Sequence, residues 1–264
     1  MNQIVDRRRA LRLFGAAGLA ACPLCIGGIA EANSATGAHA APHWSYEGEG
    51  AAEHWGGLSP EFKVCDLGLQ QSPIDLSGSM RAELGMIPIS WSNGEFTILN
   101  NGHTIQVNCA SSGSISIEGK QFDLLQFHYH HPSEHKLNGQ LFDLECHFVH
   151  KSAEHSLAVL GVFFKPGRHN EALQPVFDAM PTEAGTEAPL GGLDLSAMLP
   201  PERGFFRYKG SLTTPPCGEV VTWTVFKAPV EASPEQVAQF AALFPMNARS
   251  VQPLNRRFLL ESSI

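Results

Sequence analysis

The run FDLLQFHYHH, residues 122–131, decides how the rest of the chain is read. It is rich in aromatic and aliphatic residues and carries no Gly or Pro, so it reads as a β-strand. Side chains on a strand alternate between its two faces. Gln126, His128 and His130 then share one face, and Phe127, Tyr129 and His131 the other. FDLECHFVHK, residues 142–151, reads the same way, with Glu145, His147 and Val149 on one face. If the two strands pair, three imidazoles converge from stiff neighbouring elements. Three neutral imidazoles with a fourth position open is the donor set of a catalytic zinc site rather than a closed structural one. A ligating histidine usually turns its other ring nitrogen to an acceptor. Gln126 stands two residues before His128, and Glu145 two before His147. For His130 no side chain offers itself, so a backbone carbonyl is expected. An H-x-H pair on a strand is more often ordinary polarity than a metal site. By pattern alone the two readings stay balanced.

Outward from this pair the chain is dominated by short β-type runs. FTILNN (96–101), HTIQVNCA (103–110), SISIEG (114–119), SLAVLGVFFK (156–165), FFRYKGSL (205–212) and EVVTWTVFK (219–227) are separated by Asn-Gly, Ser-Gly, Pro or Gly breaks. NEALQPVFDAM (170–180) and SPEQVAQFAALF (233–244) read as short helices. The second has Ser233 as N-cap, Pro234 at the first helical position and Gln236 three residues after the cap. HWSYEGEGAAEHWGG (43–57) is expected to wrap the surface without regular structure. The whole is one β-rich domain of α+β type with peripheral helices, and 264 residues suffice for one full core. A net charge of −8 argues against a nucleic-acid partner. After residue 40 no apolar stretch is long enough for a transmembrane segment.

Residues 1–40 read as an export signal. A basic cluster, Arg7, Arg8, Arg9 and Arg12, precedes a Gly/Ala-rich apolar segment, and the arginine pair suggests the twin-arginine type. Ala38-His39-Ala40 is a small-x-small site, which leaves 41–264 as the mature domain in the periplasm or outside the cell. A lipoprotein box at Leu19-Ala20-Ala21-Cys22, with Cys22 as lipid anchor, is the alternative; Pro23 weighs against it. Export leaves Cys65, Cys109, Cys146 and Cys217, and composition alone does not choose among three pairings.

QFHYHHPSEH, LECHFVH and GSLTTPPC together resemble the α-class carbonic anhydrases. So do QQSPIDL, NNGHTIQV, VVTWTVF and the aromatic run 43–57, in family order across nearly all of residues 43–258. The resemblance implies a central, twisted, largely antiparallel sheet of many strands with a funnel on one face. It implies Zn2+ as cofactor and reversible hydration of CO2 to bicarbonate and a proton, by zinc-bound hydroxide attack. Residue by residue, His128, His130 and His147 match the zinc ligands, and Gln126 and Glu145 their acceptors. Thr213 matches the threonine that orients the nucleophile, and Glu134 its acidic partner. His103 matches the proton shuttle. Val149, Val159, Leu212, Val221 and Trp223 match the apolar wall that receives CO2, and Thr214 a substrate-pocket residue. Cys65 and Cys217 match the disulfide of exported bacterial members, so Cys109 and Cys146 are expected free and buried. His131, His135, His150, His155 and His169 are given no chemical role; His135 and His150 are expected to satisfy buried polar partners near the site. Alternation from His103 sets it on the face opposite Gln106, whereas the family turns both to the funnel; a β-bulge between them is expected to resolve this. Partners are confined to the small-molecule substrate, with a homodimer as the one assembly allowed for. A non-catalytic binding module would be expected to lack a ligand histidine, and a hydrolase of larger substrates sits badly with a narrow apolar pocket.

Overall fold

A computed structural model describes residues 43–264. The proposed export signal and both of its cleavage readings lie outside the described residues. The described residues form a 13-stranded sheet and a separate two-stranded one. Six central strands carry the site. They are β1 (Ile105–Ala110), β2 (Lys120–His130), β3 (Leu144–Lys151), β4 (Leu157–Pro166), β5 (Phe205–Gly210) and β6 (Val221–Phe226). Their order across the sheet is β1-β2-β3-β4-β6-β5. Neighbours are antiparallel except β4 and β6, which run parallel. The expected fold class holds, as a mixed sheet in which antiparallel pairs predominate.

Both faces of the sheet are covered. One carries the larger core, including Ile105, Val107, Phe127, Tyr129, Phe148, Leu160, Phe177 and Phe240. Two short helices close it, Gln174–Asp178 and Pro234–Ala241. The second starts as its sequence dictates. Ser233 Oγ accepts from the Gln236 N–H at 3.3 Å, and Gln236 Oε1 accepts from the Ser233 N–H at 3.1 Å. The opposite face carries a smaller core of Ile74, Val149, Val159, Phe163, Tyr208, Val221 and Trp223. This is the face to which Gln126, His128 and His130 belong.

A β-bulge makes that division possible. Leu124 pairs with His150 and Gln126 with Val149, so Leu125 is an extra residue on β2. Before it, Phe122 and Leu124 point into the larger core; after it, Phe127 and Tyr129 do. Strict alternation along the whole strand would send one pair of these side chains to the wrong face. The bulge falls here, not between His103 and Gln106. His103 needs none, because β1 begins at Ile105 and His103 precedes it in a bend. Asn101 Oδ1 accepts from the N–H groups of His103 and Thr104, both at 2.9 Å. Gly102 supplies a left-handed φ of 85° in the same bend. Alternation does not apply to a side chain outside the strand.

The segment 43–57 is more ordered than expected. It forms short helical turns at Gly48–Gly50, Ala52–His54 and Trp55–Leu58. Trp55 is fully buried, and its Nε1–H is shared between Ser45 O at 2.9 Å and Gly50 O at 3.0 Å. Trp44 and Tyr46 pack edge-on against it, and Cys65 and Cys217, disulfide-bonded to each other, complete this third cluster. Cys109 and Cys146 are free and buried. An indole needs both apolar neighbours and an acceptor for its N–H, and the folded segment supplies both.

Candidate metal centre

His128 on β2 stands directly opposite His147 on β3, and His130 opposite Glu145. One ring nitrogen from each of His128, His130 and His147 lies within 4.8 Å of the other two. The remaining nitrogens face acceptors. His128 Nδ1 is 2.8 Å from Gln126 Oε1, as its spacing implies. His130 Nδ1 is 2.7 Å from the backbone oxygen of Asn247. His147 Nε2 is 2.9 Å from Glu145 Oε1, though off the direction of a straight hydrogen bond. With those nitrogens turned outward, His128 Nε2, His130 Nε2 and His147 Nδ1 are left to converge. Among the described residues the last two are buried with no hydrogen-bond partner. Buried imidazole nitrogens without a partner are costly unless something binds them. The donor set fits a zinc ion.

Burial keeps His128 and His130 neutral. Burial lowers the pKa of His128 well below the ordinary histidine value, and the neighbouring imidazoles lower it further. Burial also lowers that of His130, against the pull of Glu134. Only a neutral imidazole has a lone pair to give. Glu145 is the fixed negative charge behind them. Burial alone would push its carboxyl up, but His135 and His147 outweigh that and hold it well below the usual carboxylate range. Glu145 Oε2 also accepts the N–H groups of Glu134 and His135, both at 2.9 Å. His135 bridges from Glu145 Oε1 (2.7 Å) to the Tyr208 hydroxyl (2.7 Å). His135, Glu145 and His147 form a second cluster, in which His135 is already bonded to Glu145 and Tyr208.

Glu134 is buried beside the ligands. Its Oε1 accepts the Arg249 N–H at 2.9 Å. Its Oε2 lies 3.4 Å from His130 Nε2 and 3.8 Å from His147 Nδ1, and has no hydrogen-bond partner among the described residues. The expected hydrogen bond from Thr213 to Glu134 is therefore not made to that oxygen here. Thr213 is itself buried, four residues before Cys217 of the disulfide, and the Cys217 N–H donates to Thr214 O at 2.9 Å.

The face around the histidines is divided. On the β4 and β6 side Val149, Val159 and Trp223 stand abreast in register, with Val221 buried and Leu212 packed beside them. The Trp223 ring lies 4.8 Å from that of His147, edge to face. On the β1 side Gln106 stands opposite His128 and Asn108 opposite Gln126. His103 lies half-buried at this polar side, its ring stacked on Trp44 at 3.7 Å. Burial, then the nearby charge of His43, lowers its pKa.

Several residues that sequence reading passed over hold this arrangement. Asn247 gives its backbone oxygen to His130, its Oδ1 to the His131 N–H, and its Nδ2–H to His103 O (3.0 Å) and Tyr129 O (2.9 Å). Arg249 fixes Glu134 through its backbone. Its guanidinium reaches Gln71, Ser72 O and Cys65 O at 2.8–2.9 Å. Neither residue lies in a periodic segment, so no local pattern marks them. Gly161 could have been found. A Cβ there would sit 3.1 Å from Glu145 Oε1, and a glycine inside the apolar run LAVLGVFF signals such a close approach. His150 is a correction. It is buried on the opposite face of β3, where its Nε2 accepts from Trp91 Nε1 at 3.2 Å, away from the site.

The family model for eukaryotic-type carbonic anhydrase matches residues 50–263. The carbonic anhydrase of a Nostoc species is 40% identical over 270 residues, covering 99% of this chain and 100% of that protein. That of Klebsiella pneumoniae is 43% identical over 225 residues, 84% of this chain and 92% of that one. The solved α-carbonic anhydrase of Thermovibrio ammonificans, in complex with sulfanilamide, superposes with a TM-score of 0.82 at 44% identity. It covers 84% of this chain and 100% of its own.

Proposed function

This chain belongs to the eukaryotic-type, or α, carbonic anhydrase family, and from that premise we propose that it hydrates CO2 reversibly on a zinc ion held by His128, His130 and His147. One observation carries the reading: three imidazoles each turn one nitrogen to an acceptor and the other to a common point, where two of those nitrogens are buried and unpartnered. When bound, zinc acidifies a coordinated water and so supplies a nucleophile at neutral pH.

The protein's own groups do the rest. Gln126, Glu145 and the Asn247 carbonyl hold the three rings in orientation and tautomer. Ionised Glu134 can only accept hydrogen bonds. With Oε1 taken by Arg249, Oε2 is left as the acceptor for the Thr213 hydroxyl. The Thr213 oxygen is then left to accept from the nucleophile and aim its lone pair. CO2 is apolar and rests against Val149, Val159, Leu212, Val221 and Trp223, with Thr214 at the pocket edge. Burying it there asks no polar group to give up water. His103, at the polar side, carries the released proton outward; imidazole titrates near neutrality and can both take and give it.

The export reading of residues 1–40 rests on the leader's composition, and the Cys65–Cys217 disulfide supports it, since such bonds persist in oxidising compartments. The test is metal analysis of the purified protein together with stopped-flow CO2 hydration. About one zinc per chain with hydration activity is expected; no zinc and no activity would refute the reading. His103→Ala is expected to slow hydration in weakly buffered solution and to recover when a small imidazole buffer is added. An undiminished rate without buffer would remove His103 from the proton path.

A further inference from the structure

A groove of about 890 Å3 lies away from the histidine centre, between the Arg207–Lys209 part of β5 and the segment 255–260. We propose that it binds a free amphipathic anion, a single-chain carboxylate whose head group sits on Arg207 and whose apolar body lies over Leu69, Phe258 and Leu260.

Charge is the first argument. The chain carries a net −8, yet this groove is lined by Arg207, Lys209, Arg256 and Arg257 against a single carboxylate, Glu118. Glu118 forms no salt bridge with these cations among the described residues, though it lies near enough to Arg207 to act on its charge. Arg207 supplies the second argument. It is only 6% exposed and lies over the Phe205 ring at 4.7 Å. Among the described residues its one hydrogen bond runs from Nε to Thr224 Oγ1 at 3.2 Å. Both terminal amino groups remain unpaired, and a guanidinium presents them in the spacing of a carboxylate. The other cations play different parts. Arg257 spends its donors on the backbone oxygens of Leu254, Lys209 and Pro253, and Lys209 Nζ donates to Thr222 Oγ1 at 2.7 Å. They shape the wall and add field.

The apolar lining is the third argument. Phe258 is 69% exposed and Leu69 71% exposed, and both line this groove. Large apolar side chains left in water beside a partly desolvated cation describe a site for a molecule with one anionic end and one oily end. The volume is in the range of small-molecule pockets.

The test titrates the purified protein calorimetrically with decanoate, decylamine and decyl maltoside, each below its micellar concentration. Decanoate is expected to bind with one site per chain, and the amine and the sugar detergent not to saturate. Arg207→Gln is expected to weaken decanoate at least about tenfold. Should that variant fold poorly, Phe258→Ser tests the same groove at an exposed position and is expected to weaken decanoate severalfold. His147→Ala separates the groove from an anion drawn to the histidine centre and is expected to leave decanoate binding intact. Equal binding of all three amphiphiles, loss of binding in His147→Ala, or decanoate binding untouched by the groove substitutions would each overturn the proposal. So would concentration-dependent dimerisation that Phe258→Ser abolishes, without decanoate binding, because a second copy would then be the occupant.

Discussion

The two faces of strand β3 carry the same side chain to opposite ends. His147 and His150 are both essentially buried, three residues apart. His150 packs against Trp91, accepts its indole N–H, and is pulled by burial to a pKa of about 4. His147 faces two other imidazoles and two carboxylates, and its Nδ1 has no partner among the described residues. A buried histidine is therefore not a site by virtue of burial. What distinguishes His147 is that one of its ring nitrogens converges with those of His128 and His130, whereas His150, whose Nδ1 is also unpartnered, belongs to no such cluster among the described residues.

The sharpest break of that comparison is His147→Ala. Zinc affinity and CO2 hydration are expected to fall together by more than about 100-fold, read by metal analysis and stopped-flow assay; retained zinc would return His147 to the class of His150. Next, Thr213→Ala is expected to keep zinc while losing on the order of 100-fold in activity, about 2.7 kcal/mol of barrier. Zinc lost with the activity would mean Thr213 supports the fold rather than the reaction.

The back of the strand should speak through pH instead. His150 stays neutral when folded down to a pKa of about 4 and titrates near the ordinary 6.5 when unfolded. Between those values the unfolded chain binds a proton that the folded chain refuses. The stability is fully present above about pH 6.5 and is lost as pH falls toward 4. From pH 7 to pH 5 the loss is about 2 kcal/mol by linkage. Denaturant unfolding of wild type and His150→Gln at both pH values should differ by that amount, with zinc content unchanged. The smallest effect is expected from His131→Ala. This ring lies at the half-buried end of β2, bonded only to Pro245 O at 2.9 Å, and its removal should shift stability by less than about 1 kcal/mol and leave hydration alone.

Local pattern carried far, and stopped at identifiable places. Alternation sorted Gln126, His128 and His130 onto one face, and two-residue spacing paired Gln126 with His128 and Glu145 with His147. Those relations hold because they live within one strand. The bulge at Leu125 was hidden because the apolar residues on either side of it look like one continuous run. The order in segment 43–57 was hidden because its stability comes from burying Trp55 against distant residues.

By itself the sequence determined that the chain is a β-rich domain, that two histidine-bearing strands could meet, and which side chains would stand beside His128 and His147. Its motifs added the family. Only the tertiary structure decided that Asn247 accepts from His130 and that Arg249 holds Glu134. It also decided that His150 belongs to the opposite core and that His103 escapes the strand's alternation. The reason is range. A strand's period is set by neighbouring backbone dihedrals and can be read locally. A hydrogen bond such as the one from His130 to Asn247, 117 residues away in sequence, exists only once packing has brought the two together.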